Sequence, residues 1–131
     1  MKTIKTINRV KMETVSNLLC SAFEGGSNYW YQITDFKAPR RFDFRSDENQ
    51  IFKHLDYPMN PGGSLTITTL EGDEFKGVKE WTLDLAAIRK GLQIMSDKYP
   101  HHFRDMMAEN DDAITGDVFL QCCLFGEIVY G

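Results

Sequence analysis

Apolar residues along this chain alternate between two spacings, and each spacing predicts its own kind of element. Val15, Leu18, Leu19, Ala22 and Phe23 stand at i, i+3, i+4, i+7 and i+8, the buried stripe of an amphipathic helix. Gly25-Gly26 follows and predicts the helix end, since glycine accepts a left-handed C-terminal cap. Two short β-branched or aromatic runs, at 3–10 and 28–33, read as strands. Residues 64–70 (Ser-Leu-Thr-Ile-Thr-Thr-Leu) alternate with period two. Glu71-Gly72-Asp73 supplies a turn, and 74–81 reads as the returning strand of a hairpin.

Helical spacing then resumes. Leu85, Ile88, Leu92 and Met95 follow Asp84, an N-cap residue. Pro100 suits the first turn of another short helix carrying Phe103, Met106 and Met107. Asp111-Asp112 begins a turn, and a last helix starting near Thr115 carries Val118, Phe119, Cys122, Cys123 and Phe125 before Gly126 stops it. Residues 127–130 read as a terminal strand. The pattern predicts an α+β fold: a mostly antiparallel sheet with an N-terminal helix and two to three C-terminal helices packed on it. Residues 1–131 are expected to form a single domain. An irregular loop at about 35–63 holds Pro39, Pro58, Pro61 and Gly62-Gly63, with room for a short helix at 48–55.

Composition narrows the function classes. Fifteen Lys and Arg against nineteen Asp and Glu give a net charge of −4, which argues against duplex nucleic acid as partner, because a phosphate-backbone binder carries a basic footprint. No run of about 18 apolar residues is present, so no membrane span is expected, and the basic N-terminus lacks the apolar core of a secretory signal. Cys20, Cys122 and Cys123 make a poor disulfide framework and point to reduced thiols in a cytoplasm. Cys20 and Cys122 fall on apolar helix faces, while Cys123 lies on an adjacent face with room for partial exposure.

Two segments carry ligand-binding chemistry. In Glu24-Gly25-Gly26-Ser27-Asn28-Tyr29-Trp30-Tyr31, consecutive glycines can shape a nest of backbone N–H groups for an anion. The aromatic residues behind them offer π-faces for a base. A plain helix cap followed by a core strand accounts for the same residues. In Pro39-Arg40-Arg41-Phe42-Asp43-Phe44-Arg45, three arginines interleave with two aromatics, and guanidinium forks grip phosphate bidentately. The plain alternative is an exposed loop whose arginines pair with Asp43, Asp47 and Glu48. Candidate ligand-binding residues are therefore Glu24, Gly26, Ser27, Asn28, Tyr29 and Trp30 for base and sugar, and Arg40, Arg41 and Arg45 for phosphates. Asp117 and Gln121 join them from the last helix; Asp117 either complements the helix dipole or faces a pocket.

Other constellations are weaker. His101, Asp105 and Glu109 would share a helix face at i, i+4 and i+8, but no second His or Cys cluster supports a metal site, so no metal and no cofactor are expected. Glu109-Asn110-Asp111-Asp112 lacks calcium-loop spacing and reads as a charged turn with a helix N-cap. No nucleophile elbow is present, and no catalytic residue is assigned.

The Glu24–Tyr31 segment with the leucine-rich helix before it, and the ending from Gly116-Asp117-Val118-Phe119-Leu120-Gln121 through Phe125-Gly126-Glu127-Ile128-Val129-Tyr130-Gly131, resemble small phage and prophage proteins. Within that group the chain resembles the Thoeris anti-defence sponge proteins. The likeness covers both ends and, more loosely, 62–67 and the helix after Trp81; the middle loop departs freely. The resemblance implies a homo-oligomer, in the cytoplasm of an infected bacterium, that sequesters a small nucleotide signal of the cyclic ADP-ribose type or a cyclic oligonucleotide without cleaving it. No binding residue is carried over from that family. The apolar segment 118–130 is either an oligomer surface or the domain core. Two further classes compete: a protein-binding inhibitor of a host defence complex, which would use acidic mimicry of nucleic acid, and a small nucleotide-acting enzyme using Glu24, Asp117 and His101 or His102.

Overall fold

A computed structural model of the chain describes residues 10–39, 57–109 and 112–131. The first helix, α1, spans Met12–Ser21 and buries Val15, Leu18 and Leu19. It does not end in a left-handed glycine. It widens into a π-helical turn over Ala22–Gly26, closed by the Ser27 N–H donating to the Ala22 carbonyl at 2.8 Å. Gly25 and Gly26 stay out of the positive-φ region. A Cβ on Gly26 would overlap the carbonyl oxygen of Ala113. Glycine is needed there for close approach of two backbones rather than for a special dihedral.

The expected strand at 28–33 begins later. Residues 27–30 form a turn, and β1 spans Tyr31–Lys37, so the first residues of the presumed loop at 35–63 belong to a strand. β2 (Ser64–Thr69) and β3 (Glu80–Leu83) complete an antiparallel sheet of order β1-β2-β3. The registers Ile33↔Ile67 and Ile67↔Trp81, with Leu65↔Leu83, put these side chains on one face. That face is the buried one: Leu65, Ile67, Trp81 and Leu83 all belong to the core. A bulge between Ile33 and Asp35 breaks the alternation of β1, and the strand is exposed beyond it. The returning strand starts six residues later than 74. A small bridge pairs Phe75 with Val78 first, around Lys76 (φ 50°) and Gly77 (φ 80°). Two successive positive φ angles make the tight turn that matches strand twist.

The helical half follows the sequence pattern closely. α2 spans Leu85–Lys98, with the Asp84 carboxylate accepting from the Ala87 N–H as the N-cap. α3 spans Pro100–Met107, with proline in its first turn. α4 spans Ala113–Phe125, capped by Asp112 and stopped by Gly126 at φ 77°. Every residue from Thr115 to Cys123 is buried. A helix apolar on all sides belongs inside, and α1, the sheet, α2 and α3 surround this one. The segment from Val118 to Phe125 is therefore core, which settles its helical part against an oligomer surface. Cys123 is buried, not partly exposed.

Residues 127–130 form no strand. The Ile128 N–H donates to the Tyr99 hydroxyl at 2.9 Å, and the side chain of Gln121 holds the next two residues. Its Oε1 accepts from the Val129 and Tyr130 N–H groups at 2.7 and 2.8 Å, and its Nε2 donates to the Tyr130 carbonyl at 3.0 Å. A side-chain amide here does what a neighbouring strand would do. Tyr57, Pro58 and Met59 form a short turn and are buried. The predicted strand at 3–10, apart from Val10, and the predicted helix at 48–55 lie outside the described residues. No helix of the described residues is long and apolar enough to cross a membrane.

Candidate functional site

Asp117 lies on α4 in the middle of the core, where an unpaired carboxylate would be expensive. It has three donors, all from the turn between α1 and β1. Ser27 Oγ donates to Oδ1 at 2.7 Å, Trp30 Nε1 donates to Oδ1 at 2.8 Å, and the Tyr29 hydroxyl donates to Oδ2 at 2.7 Å. Both O–H···O distances are those of well-formed hydrogen bonds. Four residues singled out from two distant parts of the sequence thus meet at one carboxylate. Gln121, one helical turn after Asp117 and on the same face, reaches the same region and fixes the C-terminal segment.

The three aromatic residues of the motif have separate fates. Trp30 is 3% exposed and stacks on Tyr130 with centroids 5.3 Å apart and planes 8° from parallel. Phe125 tilts against it at 5.3 Å. Trp30 therefore has no open face for a base and is a core residue, contrary to the expectation that it stacks on a ligand. Ser27 is fully buried and likewise faces Asp117 rather than solvent. Tyr31 donates its hydroxyl to the Phe23 carbonyl at 2.6 Å, which satisfies a carbonyl of the π-helical turn. Tyr29 alone combines exposure with fixation: 53% of its surface is open, yet its hydroxyl is held by Asp117. Burial and then the neighbouring carboxylate push the Tyr29 phenol well up, so it stays protonated and keeps donating.

Glu24 and Asn28 are exposed on the same turn, and Asn28 Nδ2 donates to the Glu24 carbonyl at 3.2 Å. The expected anion nest is not formed by the amides of Ser27 and Asn28. They donate to the Ala22 and Gly25 carbonyls, the second at 3.3 Å. Gly26 serves packing against α4. Arg40, Arg41 and Arg45 lie outside the described residues.

Sequence reasoning missed Tyr130. Its ring covers Trp30, and its hydroxyl donates to Asp73 Oδ2 at 2.9 Å, tying the C-terminal segment to the β2–β3 connection. The available signal was Asp117 and Gln121 themselves: two polar residues four apart in an otherwise apolar helix announce buried partners.

Two of the three thiols are deeply buried. Burial pushes Cys122 up to about 12 and Cys123 well above its usual range, and a thiol so far from its thiolate is a poor nucleophile.

A second polar cluster sits on α3. His101 Nε2 lies 3.8 Å from Asp105 Oδ2, and the His101 and His102 rings have centroids 4.2 Å apart. Glu109, expected on the same face, lies beyond the helix end with a φ of 58°. Burial, helped by neighbouring His101, lowers the His102 pKa. No protein-family model, curated protein or solved structure matches this chain.

Proposed function

We propose that this protein binds and sequesters a small nucleotide signal, of the cyclic ADP-ribose or cyclic oligonucleotide class, and releases it unchanged. In this reading it is an anti-defence protein of a phage, as the resemblance suggests. The observation that carries the reading is Tyr29: an exposed aromatic ring whose hydroxyl is anchored to a buried carboxylate. A ring fixed before binding loses little freedom when a base stacks on it. Asn28 and Glu24 stand exposed beside it, a donor and an acceptor suited to base or sugar edges. Arg40, Arg41 and Arg45 would supply the phosphate contacts.

The test is calorimetric titration with a panel of cyclic ADP-ribose isomers and cyclic di- and trinucleotides, with mass spectrometry of the ligand before and after. Saturable binding with intact ligand is expected. Stacking on an aromatic is worth about 1–3 kcal/mol per base, so Tyr29→Ala should weaken binding by roughly 5- to 150-fold. Arg41→Ala should weaken it without altering the circular dichroism spectrum. Absence of binding across the panel, or turnover of the ligand, overturns the proposal.

A further inference from the structure

We infer that His101, His102 and Asp105, on α3, form a binding site for a divalent transition-metal ion of the zinc class. The site uses no residue of the Asp117 cluster and does not depend on the nucleotide reading.

The geometry is nearly closed already. One ligating atom from each of the three side chains lies within 4.8 Å of the other two. In tetrahedral coordination, with metal–nitrogen and metal–oxygen distances of about 2.0–2.2 Å, neighbouring ligand atoms stand roughly 3.4 Å apart. The His101–Asp105 pair, at 3.8 Å, needs almost no adjustment. The remaining closure is at most about 1.5 Å, within reach of side-chain rotations on a helix surface. The i, i+4 spacing of His101 and Asp105 puts both on one face, and α3 presents His101 to solvent.

A second observation comes from His102. Its Nδ1 is shielded from solvent and has no hydrogen-bond partner among the described residues. Such an atom in a folded protein calls for an explanation, and a role as an ion ligand is one. A metal-bound imidazole carries its proton on the nitrogen opposite the metal. Coordination through Nδ1 would therefore give this atom its partner and leave the ring proton on Nε2.

The donor set selects the ion. Two imidazoles and one carboxylate suit zinc, nickel, copper or iron, whereas calcium and magnesium take oxygen ligands. Asp112, at the start of α4, interacts electrostatically with His102. Its charge and that of Asp105 offset the unfavourable field of the α3 N-terminus on a cation. Three protein ligands leave a fourth position open to water or to a ligand atom.

The experiment is titration of the untagged full chain with Zn²⁺ by calorimetry, and with Co²⁺ followed by its visible absorption. One ion per chain is expected. His101→Ala and His102→Ala should each weaken binding by at least about tenfold, and Asp105→Asn should weaken it as well. His54→Ala and Glu109→Gln should leave binding unchanged, and unaltered circular dichroism of each variant excludes loss of fold. No saturable binding, or binding that survives the His101→Ala/His102→Ala double variant, overturns the inference and leaves a solvated His–Asp pair.

Discussion

Replacing Asp117 by alanine is the sharpest perturbation of this fold. The change removes the acceptor of three hydrogen bonds, and the three donors differ in what they can do afterwards. Ser27 is fully buried and Trp30 is 3% exposed, so neither can turn to bulk water. Each buried unsatisfied donor costs about 1–3 kcal/mol, which gives roughly 2–6 kcal/mol for the pair. Tyr29 is half exposed, and water replaces its lost partner at little cost. The total is a large share of the roughly 5–15 kcal/mol that stabilises a domain. Asp117→Asn should be milder. The amide oxygen still accepts from Ser27 and Trp30, and the Tyr29 hydroxyl can reverse to accept from the amide nitrogen. The loss is then mainly charge assistance, about 1 kcal/mol for each of the two bonds kept at Oδ1. Tyr29→Phe should cost about 1 kcal/mol or less. Urea unfolding followed by tryptophan fluorescence and far-ultraviolet circular dichroism measures all three variants. The expected order of destabilisation is Asp117→Ala, then Asp117→Asn, then Tyr29→Phe. If Asp117→Ala fell within about 1 kcal/mol of wild type, or below Tyr29→Phe, the carboxylate would not be what holds the turn to α4.

Two neighbouring glycines make an internal control. Nothing lies within 4 Å of a Cβ on Gly25, whereas one on Gly26 meets the backbone of Ala113, its carbonyl carbon at 2.9 Å. Gly26→Ala should therefore destabilise by about 1–3 kcal/mol, while Gly25→Ala should be neutral or stabilise by up to about 1 kcal/mol; equal urea midpoints would refute the contact. Alkaline pH should weaken the fold. Tyr29, Tyr31, Tyr130, Cys122 and Cys123 all have raised pKa values, so the folded chain holds protons that the unfolded chain releases above the ordinary values of 9.0 and 10.0. Stability from these groups is complete below about pH 9 and declines as pH rises from there toward the folded values. Cys122→Ala should lower the urea midpoint at neutral pH yet flatten its fall above about pH 9, and an unchanged slope would show that the thiol stays protonated in neither state or in both.

Much of the helical half was legible because its rules are local. An Asp three residues before a backbone N–H caps α2 and α4, proline opens α3, and glycine stops α4, each through contacts within one turn of chain. The alternation of β2 was equally plain, since one face had to be buried. The errors fell where a distant residue decides the local conformation. Gly25-Gly26 reads as a left-handed cap, but the start of α4 lies against Gly26 and the helix widens instead. Residues 127–130 have strand composition, but their backbone bonds to side chains, Ile128 to Tyr99 and Val129 and Tyr130 to Gln121 on α4.

The candidate site divides along the same line. The chain alone marks Ser27, Tyr29, Trp30, Asp117 and Gln121 as unusual: aromatics behind a glycine pair, and polar residues in an apolar helix. Nothing in their spacing says that Ser27, Tyr29 and Trp30 meet one carboxylate about ninety positions away. Nor does it say that Trp30 faces inward while Tyr29 faces solvent. A residue's type limits the bonds it can make, whereas its exposure depends on which elements pack over it. For that reason, the α+β class, most helices and the chemistry on offer could be read from residue types and spacing. Tertiary packing decided that Asp117 is a buried acceptor, Trp30 a core residue, and Tyr29 the ring left open.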